Sequence, residues 1–429
     1  MRTVRIGLIG LGTVGGGVVD ILRRHGEDFE RRAGVSLELT RFADRDAARA
    51  AALGIPADRF TTDAADILSD PDIDVVVELV GGTGAARGIV LEALAAGKSV
   101  VTANKALMAS HGREVMEAAE QAGVDIAFEA SVGGGIPIIG PLKHSLDGNE
   151  IRSVVGIVNG TTNFILTRMA EDGLDFDAAL AEAQAAGYAE ADPTADVDGL
   201  DAAAKIAILA SIAFNSRVVL SQVHAEGIRG VSAADIAYAA EMGYAIKLLA
   251  IARRAGGGID VRVHPTMIPS SHPLASVNGV YNAIYVVGDS VGETMFFGEG
   301  AGSLPAASAV VGDLIEVARH IRSGCLNLVG CTCHELLEVR DIADLETAYY
   351  LRLVTADRPG VLAAVAGVLA DRGVSIASVI QKRTLEDGRA ELVFVTHLAR
   401  EADFQAALAE VGSLEVVAAV AAVVRVEHL

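Results

Sequence analysis

The stretch from Gly187 to Lys205 holds the side chains with the clearest chemical potential, because five carboxylates precede one lysine. A carboxylate binds an ammonium group through charge-assisted hydrogen bonds, and a lysine can donate a proton. Asp201 and Lys205 are four residues apart, so a helix would place both on the same face. An acidic, solvated helix start would explain the same pattern, because carboxylates favour the positive end of a helix dipole. The five acids are Glu190, Asp192, Asp196, Asp198 and Asp201.

A glycine-rich turn follows the first apolar strand and opens a helix, which is the setting that a dinucleotide-binding loop requires. Gly10 permits the tight turn, Gly12 lets the backbone approach a pyrophosphate, and Gly15 lets helix and strand pack closely. We expect Thr13 and Val14, which lie between these glycines, to contact the cofactor as well. A glycine turn without a ligand is the alternative interpretation.

The residue that would contact the adenosine ribose is harder to assign. Asp44 follows Gly15 by 29 residues, whereas about twenty is typical of NAD-binding folds. Residues 23–36 lengthen the first crossover and account for the delay. Arg41 and Arg45 flank Asp44 and would tolerate a 2′-phosphate, so the preference between NAD and NADP stays open.

Polar or glycine-rich segments follow several later strands, where doubly wound folds place their ligands. Lys105 ends the segment 101–105, and three consecutive glycines in 128–137 expose backbone oxygens and amides. Gly160 and Thr161 belong to a turn of hydroxyl and amide side chains suited to a substrate carboxylate. The alternatives are a solvated lysine, a hinge between domains and an ordinary helix N-cap.

Several of these segments resemble homoserine dehydrogenases. The pattern Ala183-x-x-x-Gly187-Tyr188-Ala189, then Asp192-Pro193-x-x-Asp196-Val197-x-Gly199-x-Asp201-x-x-x-Lys205, closely resembles the signature of that family. The segments 101–105, 128–137, 159–163 and 298–302 are similar to family segments as well. Where the family usually continues with Pro-Thr, this chain has Pro305-Ala306.

The resemblance implies a reaction, the interconversion of L-aspartate 4-semialdehyde and L-homoserine with NAD(P), and a role for each residue. Lys205 would donate the proton, Lys105 would assist, and Glu190 and Asp201 would hold the substrate's ammonium group. The acids favour a protonated lysine, so oxidation should need a higher pH. Tyr188, Gly160 and Thr161 would complete the substrate pocket; Arg41, Gly187 and Gly302 would join the glycine loop and Lys105 at the cofactor. The backbone oxygens of Glu129, Val132, Gly134 and Ile136 would hold a monovalent cation such as Na⁺.

The pattern of strands and helices that must position these residues predicts an α/β protein of several domains. We expect a doubly wound (Rossmann) NAD(P)-binding domain over 1–138 and 304–323, and an α+β substrate and dimerisation domain over 139–303 with a helical block at 176–254. A linker over 324–347 carries all three cysteines, with a surface helix bearing free thiols as its simplest interpretation. The βαββαβ order of 348–429 predicts a ferredoxin-like fold, and Asp357 to Leu362 resembles the first turn of ACT regulatory domains.

Composition narrows the class of protein. The 429 residues are 51% hydrophobic and 21% charged, which indicates an ordered globular chain. The net charge of -21 disfavours nucleic-acid and membrane-surface partners, and no apolar run approaches the ~20 residues of a membrane helix. Three cysteines, Cys325, Cys331 and Cys333, suggest reduced thiols in the cytoplasm, and their spacing with His334 is unlike that of zinc sites.

Two other functions fit parts of this pattern. A related reductase of another small aldehyde or oxo acid would need the same glycine loop. A non-catalytic amino-acid sensor could combine nucleotide-binding and ACT-like folds, but it would not need both lysines. The family's pathway suggests threonine as an effector of the ACT-like domain, and exposed sheet edges suggest a homodimer or homotetramer.

Overall fold

The structure, a computed structural model, describes residues 3–328, 330–384 and 388–428. The chain forms two compact units. The first consists of Met1–Val154, Ala204–Val223 and Tyr281–Leu337, and the second of Val155–Ala203, His224–Val280 and Glu338–Leu429. In the described ranges, no helix is long and apolar enough to cross a membrane.

The strands and helices alternate along most of the chain. The strands are β1 (Thr3–Ile9), β2 (Ser36–Ala43), β3 (Phe60–Thr61), β4 (Val75–Glu78), β5 (Ser99–Thr102), β6 (Ile126–Ala127), β7 (Ile151–Ile157), β8 (His224–Ala225), β9 (Tyr244–Ala255), β10 (Gly258–Pro269), β11 (Tyr281–Gly288), β12 (Gly292–Glu299), β13 (Glu346–Ala356), β14 (Ile376–Thr384), β15 (Arg389–Thr396), β16 (Ala399–Arg400) and β17 (Val417–Val426). The α-helices are α1 (Thr13–Ala33), α2 (Ala47–Ala52), α3 (Ala65–Leu68), α4 (Ala85–Ala95), α5 (Lys105–Ala122), α6 (Gly160–Asp172), α7 (Phe176–Ala185), α8 (Thr194–Val197), α9 (Leu200–Ala213), α10 (Ala233–Glu241), α11 (Ser303–Ser323), α12 (Val361–Asp371) and α13 (Glu401–Gly412).

The first unit contains a parallel sheet with the strand order β3-β2-β1-β4-β5-β6. This order confirms the doubly wound domain that the alternating pattern predicts. Apolar residues of β1 and β4 share a core with α1 and α11, which explains why these strands read as uninterrupted apolar runs. The strand order reverses between β1 and β4, and ligands bind beyond the carboxyl ends of the strands at such a point.

Helix α1 explains the long first crossover. It runs from Thr13 to Ala33 and ends at Gly34 in the left-handed conformation, so β2 begins only at Ser36. Helix α11 packs beside α1, and Ala307, Val310 and Leu314 are fully buried in the core of this sheet. The late part of the chain therefore contributes a helix to the nucleotide-binding core.

The second unit differs from expectation at the end of the helical block. Helices stop at Glu241, and Tyr244–Ala255 and Gly258–Pro269 form the antiparallel hairpin β9–β10. Most of β9 from Ile246 to Ala252 is buried, so its sequence lacks the alternation of a half-exposed strand. Periodicity does not distinguish such an apolar run from a buried helix.

The last part of the second unit has the predicted ferredoxin-like order, β13, α12, β14, β15, α13 and β17, and this confirms the ACT-like fold. Its strands lie in the order β17-β13-β15-β14 and bury a core of their own. Strand β17 also pairs with β10, where Thr266 faces Arg425 and Met267 faces Val426. The ACT-like sheet and the β9–β10 hairpin thus form one continuous sheet.

The cysteine-bearing segment is not the surface helix suggested by its sequence. In the described part of 325–341, no helix forms, and short bridges join Ser216 to Glu335 and Ile259 to Val339. All three cysteines are free thiols; Cys325 and Cys331 are exposed, and Cys333 is partly buried.

Candidate active site

A cleft of about 410 Å³ opens in the first unit beyond the carboxyl ends of the parallel strands. It brings together residues that the sequence assigns to the cofactor, the cation and the proton transfer. Those that line it include Thr13, Val14, Lys105, Gly134, Lys205 and Gly302. Lys205 is only 8% exposed, on α9, whereas Lys105 is exposed at the first position of α5.

The dinucleotide loop has the geometry that its glycines predict. Gly10 has φ +101°, and a Cβ on Gly15 would lie 2.1 Å from the carbonyl oxygen of Gly10. A Cβ on Gly12 would have one near neighbour, the Arg49 guanidinium, at 3.9 Å. The loop therefore packs tightly at both ends and leaves its middle open, which fits a pyrophosphate at the N-terminus of α1.

Asp44 follows β2 beside this loop. Its carboxylate accepts hydrogen bonds from the amides of Leu11 (2.6 Å) and Asp46 (2.9 Å) and lies 3.5 Å from Arg49. Burial works to raise the pKa of Asp44, but these amides and Arg49 outweigh burial and lower it. Arg41 instead bonds the carbonyl oxygen of Asp58 and lies 3.7 Å from Asp70. The cation near the loop is thus Arg49, which sequence reasoning missed.

Glu78 is a second residue that sequence reasoning missed. It ends β4, is fully buried, and accepts hydrogen bonds from the amides of Val80 (2.7 Å) and Gly81 (3.0 Å) and from the Thr102 hydroxyl (2.7 Å). The Asn104 amide group lies 3.4 Å from the same carboxylate. Thus one carboxylate fastens two loops of the cleft wall.

Asn104 links Glu78 to the backbone position of Lys105. Its side chain donates to the carbonyl oxygen of Gly82 (2.7 Å) and accepts from the amide of Leu107 (3.1 Å), which caps α5. Lys105 is the next residue, so its backbone is fixed by the cap and by the loop at Gly82. The signal in the sequence was a glutamate that ends an apolar strand, because a carboxylate buried there needs several hydrogen-bond donors.

The glycine turn at 133–135 packs against the segment that carries Gly302. A Cβ on Gly134 would lie 2.5 Å from the carbonyl oxygen of Gly300, and the Gly135 amide donates to Glu299 at 3.1 Å. Gly134 also has φ +55°, so only glycine fits here without strain.

The Glu129 carboxylate near this turn has a structural task. It accepts hydrogen bonds from the amides of Ile138 (2.6 Å), Ile139 (2.8 Å) and Gly140 (2.7 Å). The Glu129 amide itself donates to Asp313, whose pKa burial raises well above its usual value. Only backbone oxygens of this segment are therefore suitable for the predicted cation.

The second unit holds the acids of the opening pattern. Asn159 donates through its side chain to Asp196 (2.7 Å) and to Asp201 (2.9 Å), and its side-chain oxygen accepts from the amide of Thr162 (2.9 Å). The N-cap predicted as an alternative is therefore present, and the same side chain also orients two carboxylates. Asp196 thus shares the Asn159 side chain with Asp201.

The other predicted substrate residues of this unit are arranged around α6. Thr161 donates its hydroxyl to the carbonyl oxygen of Tyr188 at 2.7 Å, and the Tyr188 ring lies 5.0 Å from Phe164. Tyr188 is 47% exposed, and Glu190 is exposed as well. Gly187 has φ +77° in the turn before them.

Two of the remaining acids have local roles. Asp192 accepts from the amide of Thr194 at 3.2 Å, and Asp198 accepts from Arg229 at 2.6 Å. Among the residues that the structure describes, no group of three or more His, Cys, Asp or Glu side chains could hold a metal ion. The cysteines and His334 accordingly form no such group.

Comparisons with known proteins agree with this geometry. Family models described as "Homoserine dehydrogenase, NAD binding domain", "Homoserine dehydrogenase" and "ACT domain" match residues 10–129, 137–315 and 349–416. A Synechocystis homoserine dehydrogenase is 51% identical over 99% of both chains.

Solved structures show the same likeness. A homoserine dehydrogenase structure from Thiobacillus denitrificans has a TM-score of 0.95 and 45% identity, and covers 100% of this chain and 99% of its own. A hyperthermophilic archaeal homoserine dehydrogenase in complex with NADPH has a TM-score of 0.65 and 28% identity, over 77% of this chain and 100% of its own.

Proposed function

The chain belongs to the homoserine dehydrogenase family, and on that premise we propose that it interconverts L-aspartate 4-semialdehyde and L-homoserine with NAD or NADP. The observation that carries the proposal is the cleft of the first unit, where Lys105 and Lys205 lie with the dinucleotide loop. Bound there, the nicotinamide supplies the hydride for reduction of the aldehyde.

Lys205 is the proton donor in this proposal. As the aldehyde carbon is reduced, its oxygen becomes an alkoxide that needs a proton and nearby positive charge. Lys205 is buried at the cleft, where its ammonium group acts in a lower dielectric than water provides. Lys105 adds a second positive charge at a backbone position fixed by Asn104.

Carboxylates of the 187–205 stretch recognise the amino-acid part of the substrate in this proposal. Asp201 and Glu190 bind its ammonium group, and Asn159 holds the Asp201 carboxylate in one orientation. The substrate carboxylate binds to the first-turn amides of α6 at Gly160 and Thr161, which have no intrahelical acceptors. We place the Tyr188 ring, tilted against Phe164, beside this position.

The residues around the dinucleotide loop fit either cofactor. NADPH is bound by the archaeal relative, and here Asp44 and Arg49 provide one group for a ribose hydroxyl and one for a 2′-phosphate. Gly302 lies in the cleft wall. Gly187 is also proposed as a cofactor contact, as the family resemblance implies.

We also propose a monovalent cation at the glycine turn. In the described part of the chain, no hydrogen bond is made to the carbonyl oxygens of Val132, Gly134 and Ile136. Val132 and Ile136 are buried, so these oxygens fit a hard cation. With the carbonyl oxygen of Glu129 they would hold Na⁺, which would tie the turn to the segment at Gly300.

The proposal has two further parts. Threonine regulates the enzyme by feedback through the ACT-like domain, and the protein assembles into a homodimer or homotetramer. Strand β14 is the end strand of the ACT-like sheet in the described residues, since β17 pairs with β10. The hairpin β11–β12 of the first unit exposes apolar side chains, among them Tyr281 and Phe297. Such an apolar surface supports a subunit interface.

The first test concerns Lys205. Lys205→Ala should lower kcat for homoserine oxidation by about a hundredfold or more, because it removes the proton-transfer group. NADPH fluorescence titration should show unchanged cofactor binding.

A matched control is Lys98→Met, which removes a lysine of similar burial in the same unit, bonded to the carbonyl oxygens of Asp70 and Ile73 outside the cleft wall. It should reduce thermal stability and retain kcat. Full turnover by Lys205→Ala would contradict the assignment. A faster rate with another oxo acid than with aspartate semialdehyde would favour the related-reductase hypothesis.

A further inference from the structure

Arg425 is one of the residues that join the ACT-like domain to the rest of the second unit. Arg425 on β17 is 5% exposed and donates to Glu401 at 2.8 and 2.7 Å and to Glu226 through two nitrogens, both at 2.9 Å. Glu401 also accepts from the Tyr349 hydroxyl and from Gln405, so the ACT-like side of this bridge is rigid.

Glu226 lies in a short segment, His224 to Arg229, that we call the strap. The strap is fixed to β10, because the Glu226 amide donates to the carbonyl oxygen of Val263 at 2.8 Å. The His224 Nε2 atom lies 2.6 Å from Glu226 Oε1, an oxygen that also accepts from Arg425. Burial works to raise the pKa of Glu226, but the bonds from His224 and Arg425 outweigh it and keep the pKa well below its usual range. Glu226 is thus ionised at neutral pH.

The strap packs directly on the acid turn, which we define as residues Asp196 to Asp201. The Ile228 amide donates to the carbonyl oxygen of Val197 at 2.8 Å, and Arg229 bonds Asp198. A Cβ on Gly227 would lie 2.1 Å from the same Val197 oxygen, so no side chain fits between strap and turn. Movement of the strap therefore displaces the turn.

The acid turn carries Asp196 at one end and Asp201 at the other, and Asn159 binds both carboxylates. From these contacts we propose that Arg425, acting through Glu226 and the strap, is a positioning residue for Asp201 and so couples the ACT-like domain to amino-acid binding. The inference rests on the proposed role of Asp201 as an ammonium ligand. A change in the ACT-like domain would then alter the KM for homoserine more than kcat.

The test compares Glu226→Gln and Arg425→Lys with wild type in homoserine oxidation at saturating cofactor. Glu226→Gln keeps the side-chain size and removes the negative charge, and Arg425→Lys keeps the positive charge and removes the two-nitrogen fork. In both variants the KM for homoserine should rise by about fivefold, with kcat within about twofold and an unchanged KM for the cofactor. Arg229→Gln, at the exposed end of the strap, should shift the same KM in the same direction and provides a variant with little effect on folding.

A matched control is Arg352→Lys. Arg352 is another buried fork of the ACT-like sheet, and its partners, Asp235, Glu391 and Ser232, lie in neither the strap nor the acid turn. It should lower the thermal midpoint while the KM for homoserine stays at the wild-type value. An equal rise of KM in Arg352→Lys, or an unchanged KM in Glu226→Gln, would overturn the inference.

Asp201→Asn separates this inference from the proposed function. An unchanged KM for homoserine in Asp201→Asn would refute the ammonium ligand and with it the coupling to that ligand. A raised KM in Asp201→Asn together with wild-type values in Glu226→Gln and Arg425→Lys would refute the coupling alone.

Discussion

At the scale of single residues, Arg49 lies beside the carboxylate and the loop to which we assign the choice between NAD and NADP. Its guanidinium is 3.5 Å from the Asp44 carboxylate and borders the open middle of the dinucleotide loop at Gly12. A 2′-phosphate on the adenosine ribose would gain a charge-assisted hydrogen bond from this arginine. We predict that Arg49→Ala raises the Kd for NADPH by about tenfold, whereas the Kd for NADH changes less than about threefold, as measured by fluorescence titration.

Arg41→Ala is the control for this prediction. Arg41 is the candidate that the sequence suggests, but its guanidinium contacts Asp70 and the carbonyl oxygen of Asp58. Both Kd values should therefore stay close to wild type. Weaker NADPH binding in Arg41→Ala, with Arg49→Ala unaffected, would restore the sequence-based candidate and contradict the role of Arg49.

Some residues of the site are predictable from the sequence and others are not. The glycine loop and the Asp201/Lys205 spacing are local patterns, so the order of residues along the chain is enough to predict them. The role of Glu78 is not predictable in this way, because its partners at 102 and 104 are brought to it by the pairing of β4 with β5. The double role of Asn159 likewise depends on acids that lie 37 and 42 residues further along the chain.

At the scale of elements, the ends of β4 and β5 act together through Glu78. Its carboxylate accepts hydrogen bonds from two backbone amides and the Thr102 hydroxyl. A glutamine has only one side-chain oxygen, so its NH₂ group would face groups that now donate to the carboxylate. Glu78→Gln should cost about 2 kcal/mol of stability and reduce kcat by about tenfold, because Lys105 loses its fixed position. Thermal unfolding and steady-state kinetics measure the two effects.

Thr102→Val is the comparison variant. It removes the hydroxyl that donates to Glu78 and accepts from the Asn104 amide, but it leaves the carboxylate with its two backbone donors and the Asn104 side-chain cap in place. Its effects on stability and on kcat should both be smaller than those of Glu78→Gln. If Glu78→Gln unfolds at a lower temperature with an unchanged kcat, Glu78 has a purely structural role.

The elements themselves differ in how well their sequences predict them. Helix α12 begins at Val361, directly after Pro359 and Gly360, within the segment from Asp357 to Leu362 whose sequence resembles the first turn of ACT domains. The hairpin β9–β10 escapes prediction because β9 is buried along most of its length and lacks a two-residue period. Burial by neighbouring strands is a tertiary effect that the local pattern does not contain.

At the scale of the whole molecule, the ACT-like domain is part of a continuous sheet in the second unit rather than a separate module. Strand β17 pairs with β13 of its own fold and with β10 of the hairpin. Two ion clusters, centred on the buried side chains of Arg425 and Arg352, also join the ACT-like domain to the rest of the second unit. A ligand that binds the ACT-like domain should therefore stabilise this sheet as a whole.

This continuity gives the last prediction, which concerns threonine. Threonine at about one hundred times its Kd should stabilise the protein by about 2.7 kcal/mol and raise the thermal midpoint by a few degrees, as measured by calorimetry. If the strap transmits the change, the KM for homoserine should rise with threonine concentration while kcat changes little. Valine, which matches threonine in shape but lacks the hydroxyl, is the control and should have neither effect. A midpoint and a KM that both stay constant across the threonine titration would show that the ACT-like domain has no threonine-dependent role.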